Sequence, residues 1–302
     1  MPELAPDRSA VRPVDAAALA RVQRRLQRST TAPWLHAEVA RRMAQRLPVI
    51  RLQPDPVLDW ASFTGASQSL LHTAYPRARV LAVEPDPQRL QATVFAQRKP
   101  WWQPWQKAAE VLAPENVPAG QAQLLWSNMA LHGAIDPQAL LRQWHQALAV
   151  DGFLMFSTLG PGTLVQLGAL YRRLGWPPPM APFVDMHDLG DMLVQAGFAD
   201  PVMDQETVTL TWPGVEPLLA ELRQLGGNVD PRRSPGLCTP RWRQRLMKAL
   251  ETTADADGRL ALDFEIVYGH AFKPPPRARL AAHTEVPLVD MRAMVRRGKR
   301  VG

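Results

Sequence analysis

The segment Asp59-Trp60-Ala61-Ser62-Phe63-Thr64-Gly65 follows a short apolar run and leads into a helical pattern starting near Ser67. A small-residue turn between a strand and a helix aims backbone N–H groups at an anionic or carboxylate group. Glu84 stands 25 residues after Asp59, closing the next apolar run. A carboxylate there can accept hydrogen bonds from two ribose hydroxyls. Asn128 and His132, in SNMALHG, close a further strand pattern and are expected at the same edge of a sheet. Where a nucleotide-binding turn usually carries three glycines, this one has Ala61, Phe63 and Gly65. Taken alone the motif is weak: a turn capped by Asp59 and a solvated Glu84 explain these residues equally well.

The elements that must position these groups follow from periodicity. Residues 1–18 read as a disordered tail. From Leu19 to Leu47, apolar residues recur at three-to-four spacing, and Pro33 divides the stretch into two predicted helices. VLDW, ARVLAVEPD, AQLLWSNMA and GFLMFSTLG read as strands. SQSLLHTAY, PQRLQATVFAQRK and PQALLRQWHQALAV read as the helices between them. Such alternation argues for a parallel sheet with helices on both faces, whose ligands bind at the carboxyl ends of the strands. After Gly160 the pattern changes. TLVQLGALYRRLGW, DMHDLGDMLVQAGF, VEPLLAELRQLGG and PRWRQRLMKALE are helical, with Asp185 as an N-cap and Gly197 as a stop. PVMDQETVTLTW and LALDFEIVYGHAF are strands. The expected domain covers residues 19–273, with insertions at about 161–190 and 213–255, and residues 274–302 form a basic Pro/Arg-rich tail.

The 302 residues allow one large domain or two small ones, and 46% hydrophobic with 21% charged residues suits a globular core. No apolar run reaches 18 residues, so no membrane span is expected. The N-terminal stretch lacks the apolar core of a signal peptide, and Glu3, Asp7 and Asp15 argue against a transit peptide. A cytoplasmic protein is the expectation. The single cysteine, Cys238, excludes an intrachain disulfide and a multi-cysteine metal site. It has no evident base beside it in sequence, so it is a poor nucleophile candidate. The net charge of +7 favours an acidic partner, although much of the excess sits at the two ends. His187 with Asp185, Asp188 and Asp191 has a superficial metal-site pattern, better explained by helix capping.

The order of elements resembles the Rossmann-like class I S-adenosylmethionine-dependent methyltransferases, whose first loop reads D-x-G-x-G-x-G. LHGAIDPQALLRQWHQALAVDGFLMFSTLGPGTL, FVDMHDLGDMLVQAGFADPVMDQETVTLTW and LDFEIVYGHAFKP more narrowly resemble the BioC-type malonyl-acyl-carrier-protein O-methyltransferases of biotin synthesis. The resemblance covers roughly residues 20–273. It implies an α/β fold with a mostly parallel seven-stranded sheet and a helical lid. It also implies S-adenosylmethionine over the first loop, with Glu84 on its ribose and Asp59, Ala61, Phe63, Gly65, Asn128 and Leu131 around the rest. The implied substrate is the free carboxyl of a malonyl thioester on acyl-carrier protein or coenzyme A. Arg232, Arg233, His187 and His132 are the candidate substrate contacts. A carboxylate is already ionised at neutral pH, so neither a catalytic base nor a metal is expected.

Two alternatives accompany this expectation. One is a catalytically degenerate protein on the same scaffold, acting in binding or assembly, as complex I assembly factors do. The directions of Trp60 and Phe63 discriminate: turned inward they fill the pocket, turned away they leave it open. Ala61 is tolerable in place of glycine if its φ stays negative. The tryptophans of KPWWQPW, residues 99–105, either stack on adenine or rebuild a wall around the altered loop. The other alternative, nucleic-acid methylation, has little support: Asn128-Met129-Ala130-Leu131 offers nothing to stack a flipped base.

Overall fold

The computed structural model describes residues 13–96, 110–234, 236 and 239–276. The KPWWQPW segment, Cys238 and residues 277–302 lie outside that set. Strands β1 (Val57–Trp60), β2 (Val80–Val83) and β4 (Ala122–Ser127) are short apolar runs buried nearly throughout. That is the signature of parallel strands covered on both faces. With β3 (Val111–Leu112), β5 (Leu148–Leu159), β6 (Ala199–Trp212) and β7 (Leu260–Phe272) they form one seven-stranded sheet, ordered β3-β2-β1-β4-β5-β7-β6. The first five strands are parallel, and β7 pairs antiparallel with both β5 and β6. The third strand has two residues, too short for any periodicity to announce it. β6 alternates exposed and partly buried positions, as an edge strand with one wet face does.

Helices cover both faces. On one side α2 (Trp34–Ala44), α4 (Gln68–Ala74), α7 (Val165–Arg173), α9 (Val215–Leu225) and α10 (Pro240–Glu251) enclose a core containing Leu35, Met43, Leu71, Leu124, Trp126 and Phe153. On the other side α6 (Pro137–Ala147) and α8 (Met186–Gln195) pack Trp144 and Leu193 against Trp60, Leu125 and Phe156. Asp185 caps α8 by accepting from His187 N at 2.8 Å, and Gly197 takes a left-handed φ of 100° just past its end.

The N-terminal boundary differs from the reading above. Helix α1 spans Ala16–Gln27, so it begins inside the stretch expected to be a disordered tail. Asp15 is the reason: its carboxylate accepts from Ala18 N at 2.9 Å, its N–H donates to Val229 O at 2.8 Å, and it pairs with Arg233 at 2.7 Å. A capping aspartate with two long-range ties orders a first turn whose apolar pattern starts only at Ala18 and Leu19. β1 is flanked by β2 on one side and β4 on the other, so the direction of winding reverses between β1 and β4. This crevice is where open α/β sheets bind ligands.

Candidate active site

The turn after β1 is tight. Ala61 N donates to Val83 O at 2.8 Å, and the chain then closes a short helix, α3 (Ser62–Gly65), with Gly65 N donating to Ala61 O at 2.8 Å. To make this turn Ala61 adopts φ 56° and ψ 47°. The condition set for alanine, a negative φ, is therefore not met: the position has the left-handed backbone that glycine usually supplies, and alanine bears a strain of about 1 kcal/mol there. Gly65 sits in a tight space. A Cβ on it would lie 3.0 Å from Ser67 Oγ and 3.5 Å from the carbonyl of Asn128.

Two buried carboxyls support the turn. Asp59 accepts from Ser62 Oγ at 2.6 Å, and burial, strengthened by Glu84 nearby, lifts its pKa to about 7. Glu84 accepts from Phe63 N at 2.9 Å through Oε1. Burial raises it also to about 7, against the Phe63 hydrogen bond and the charge of Arg89. Its Oε2 is buried and has no hydrogen-bond partner among the described residues.

Phe63 turns away from the crevice. Its ring carries the Arg89 guanidinium at 3.4 Å, from helix α5 (Pro87–Ala96). Arg89 also donates to the carbonyls of Gln27 and Ser29, the latter at 2.8 Å, and so holds the end of α1. Trp60 packs edge-on against Trp144, ring centroids 6.0 Å apart, in the core beneath α6. Neither ring fills the space above the sheet.

That space is a cavity of about 850 Å³, bordered by Trp60 and Ala61, by Pro85 and Asp86 after β2, and by Met129, Ala130 and His132 after β4. Helix α1 roofs it with Leu19, Val22 and Leu26, and Leu219 and Leu222 of α9 close its far side. Of the cofactor candidates, Ala61 borders the cavity; Asp59, Phe63, Gly65, Glu84 and Asn128 do not line it, Asp59, Glu84 and Asn128 being buried, and Leu131 is buried in the core. The side chain of Asn128 is wholly occupied. Its Nδ2 donates to His36 O at 2.8 Å and Gly65 O at 2.7 Å, and its Oδ1 accepts from Ser157 Oγ at 2.6 Å. His36 is a further bordering group. Its Nδ1 lies 2.8 Å from Thr64 O, burial lowers its pKa to about 4, and its ring meets His132 edge-on at 6.3 Å.

The expected substrate residues scatter. His132 borders the cavity. His187 is exposed on the first turn of α8. Arg233 is committed to Asp15, and Arg232 grips the buried Asp230 at 2.9 Å at the margin of a smaller cavity. Among the described residues the arginines that border the large cavity are Arg25 of α1 and Arg223 of α9. Arg25 donates to the carbonyls of Arg223 and Gly226, the former at 2.9 Å. Neither was singled out from sequence. The amphipathic pattern of both helices was visible, but not that they face each other over the sheet edge. Among the described residues no cluster of three His, Cys, Asp or Glu side chains could hold a metal ion. No described helix is long and apolar enough to cross a membrane.

No family model matches the chain. Curated relatives do. The malonyl-[acyl-carrier protein] O-methyltransferase of Gallionella capsiferriformans is 39% identical over 250 residues, 80% of this chain and 85% of the relative. The protein of the same name from Laribacter hongkongensis is 38% identical over 255 residues, 82% and 86% of the two chains. Among solved structures, the YcgJ protein of Bacillus subtilis aligns with a TM-score of 0.52 at 11% identity, covering 78% of this chain and 98% of that one. That likeness establishes shared fold alone. With its 3-2-1-4-5-7-6 sheet, its crevice at the β1–β4 reversal and these relatives, the chain belongs to the malonyl-[acyl-carrier protein] O-methyltransferase family, on the class I methyltransferase fold.

Proposed function

We propose that the protein methylates the free carboxyl of a malonyl thioester, presented on acyl-carrier protein or coenzyme A, with S-adenosylmethionine as donor, in biotin precursor synthesis. The observation that carries this reading is the open cavity at the β1–β4 crevice, which Phe63 and Trp60 leave clear. At about 850 Å³ it lies within the range of small-molecule sites, about 300–1,000 Å³. The degenerate-scaffold alternative required those rings to point inward.

The residues fit the donor. Glu84, whose buried Oε2 has no partner among the described residues, directly precedes Pro85 and Asp86 of the cavity border and would hold the ribose, and Ala61 and Met129 border the same cavity. When bound, S-adenosylmethionine supplies an electrophilic methyl group on a sulfonium sulfur. The chain's own work is then positioning. The substrate carboxylate is ionised at neutral pH and needs no base. Arg223 borders the cavity and is suited to orient that carboxylate through a bidentate grip, the role expected of Arg232 or Arg233. The apolar roof of α1 excludes water from the reacting groups. No metal is required, nucleic acid is not the substrate, and the reaction belongs in the cytoplasm.

The test is a single assay. Malonyl-carrier protein and labelled S-adenosylmethionine should give the methyl ester, with Arg223→Ala raising KM for the thioester by about tenfold or more. Absence of transfer to either the carrier or the coenzyme A thioester would refute the reading.

A further inference from the structure

A second cavity, of about 380 Å³, lies beside the first and shares Thr163, Tyr171, Met180 and Phe183 with it as a common wall. Its outer lining adds Arg172 at the end of α7, Trp176 and Arg232. Trp176 stacks on Trp242 of α10, with centroids 5.0 Å apart and planes 27° from parallel, and the Arg245 guanidinium lies 5.4 Å from the Trp176 ring. Tyr171 meets both indoles edge-on at 5.3 and 6.4 Å. Three segments thus bring three arginines around one aromatic wall.

The guanidinium groups of this rim lie on exposed residues. Arg172, Arg232 and Arg245 are all exposed, as are the adjoining Arg173 and Arg241. Among the described residues neither Arg172 nor Arg245 is paired with a carboxylate. Asp230 is buried and bound by Arg232, and Glu216 lies 3.9 Å from Arg243. Two guanidinium groups without a carboxylate partner among the described residues, Arg172 and Arg245, beside the Asp230-bound Arg232 and around an aromatic wall, suit a strongly acidic protein surface. The wall shared by the two cavities places this rim at the approach to the candidate site.

We propose that this arginine–tryptophan rim is the docking surface for an acidic carrier protein, and that the smaller cavity is the entrance taken by its thioester-bearing arm. The inference rests on the malonyl-thioester reading given above. Arg172 and Arg232 meet the phosphodiester at the root of the arm, and Arg245 meets carboxylates of the carrier. The wall around Tyr171 and Phe183 leads the acyl group toward the large cavity.

The experiment compares two substrates of one acyl group: malonyl-carrier protein, and malonyl-pantetheine, which has neither protein nor phosphate. The charge-reversal pair Arg172→Glu with Arg245→Glu should raise KM for the carrier substrate by about tenfold or more, and that for malonyl-pantetheine by less than about threefold. The pair Arg172→Lys with Arg245→Lys should stay close to wild type on both. Added salt should raise KM for the carrier substrate alone. An unchanged carrier KM in the Glu pair, or an equal loss on both substrates, would overturn the docking surface while leaving the reaction intact. Failure of the wild-type protein to methylate either thioester would instead remove the functional reading, and the docking surface with it.

Discussion

Two turns at the carboxyl ends of neighbouring strands can be set side by side. After β1 the chain turns at Ala61 with φ 56°, and after β4 it turns at Met129 with φ 54°. Both place a residue with a side chain in the left-handed region, and both border the cavity. Their supports differ. The β1 turn is held by ionisable groups: Glu84 from β2 accepts from Phe63 N, Asp59 holds Ser62, and Arg89 lies on Phe63. The β4 turn is held by neutral ones: Met129 N donates to Ser157 O at 3.1 Å and to its Oγ at 3.0 Å, and Ser157 Oγ donates in turn to Asn128. One edge of the site is thus responsive to pH and charge, and the other is fixed. Strained backbone of this kind persists where surrounding structure over-determines it, and that is common at ligand sites.

The largest effect is expected at the neutral turn. Asn128→Ala leaves the buried groups of His36, Gly65 and Ser157 without their partner and should destabilise the protein by about 3 kcal/mol or more, read from urea unfolding. A change well under 1 kcal/mol would show that the β4 turn is not the fixed partner in this pair.

Next comes pH. Asp59 and Glu84 titrate near 7 in the folded protein, well above the ordinary carboxylate range of about 4. Between those values the folded state keeps protons that the unfolded chain has lost, so stability should fall as pH rises from about 4 to about 7 and level off above. Glu84→Gln removes one of the two groups and should flatten that slope in denaturation curves at pH 5 and 8, whereas Ser157→Ala should leave it unaltered. An unchanged slope in Glu84→Gln would remove the distinction between the turns.

Smaller effects separate the two strained residues. Ala61→Gly should gain up to about 1 kcal/mol by relieving the left-handed backbone. Met129→Gly relieves the same strain but loses a buried side chain, so it should come out destabilised. Smallest of all, Arg89→Lys keeps charge but loses the planar stack on Phe63, and should weaken S-adenosylmethionine binding by only a few-fold in calorimetry.

The contrast also explains what could be read from sequence. The β1 turn announced itself because acids at fixed spacing after apolar runs are local features, and the alternation of strands and helices gave the sheet. The two-residue β3 carried no periodic signal. The sign of φ at Ala61 was left open by the sequence, because it is imposed by the hydrogen bonds to Val83 and from Gly65, not by alanine itself. The start of α1 at Ala16 depends on Val229 and Arg233, more than 200 residues away. Arg223 escaped notice, while Arg232 and Arg233 stood out as a pair. Which arginine meets a cavity is decided by where α9 lies against α1, and no spacing within either helix encodes that.

Among the described strands β7 is last in sequence, yet it is interior in the sheet, between β5 and β6. During synthesis, a chain that has emerged only as far as α10 exposes the facing edges of β5 and β6, two long strands with unpaired backbone groups. Residues 260–272 therefore act as the closing piece of assembly. A nascent or truncated chain that ends before them presents a ready template for pairing with its neighbours, so a stop codon or proteolytic cut in this short C-terminal stretch should yield aggregate rather than a smaller working domain.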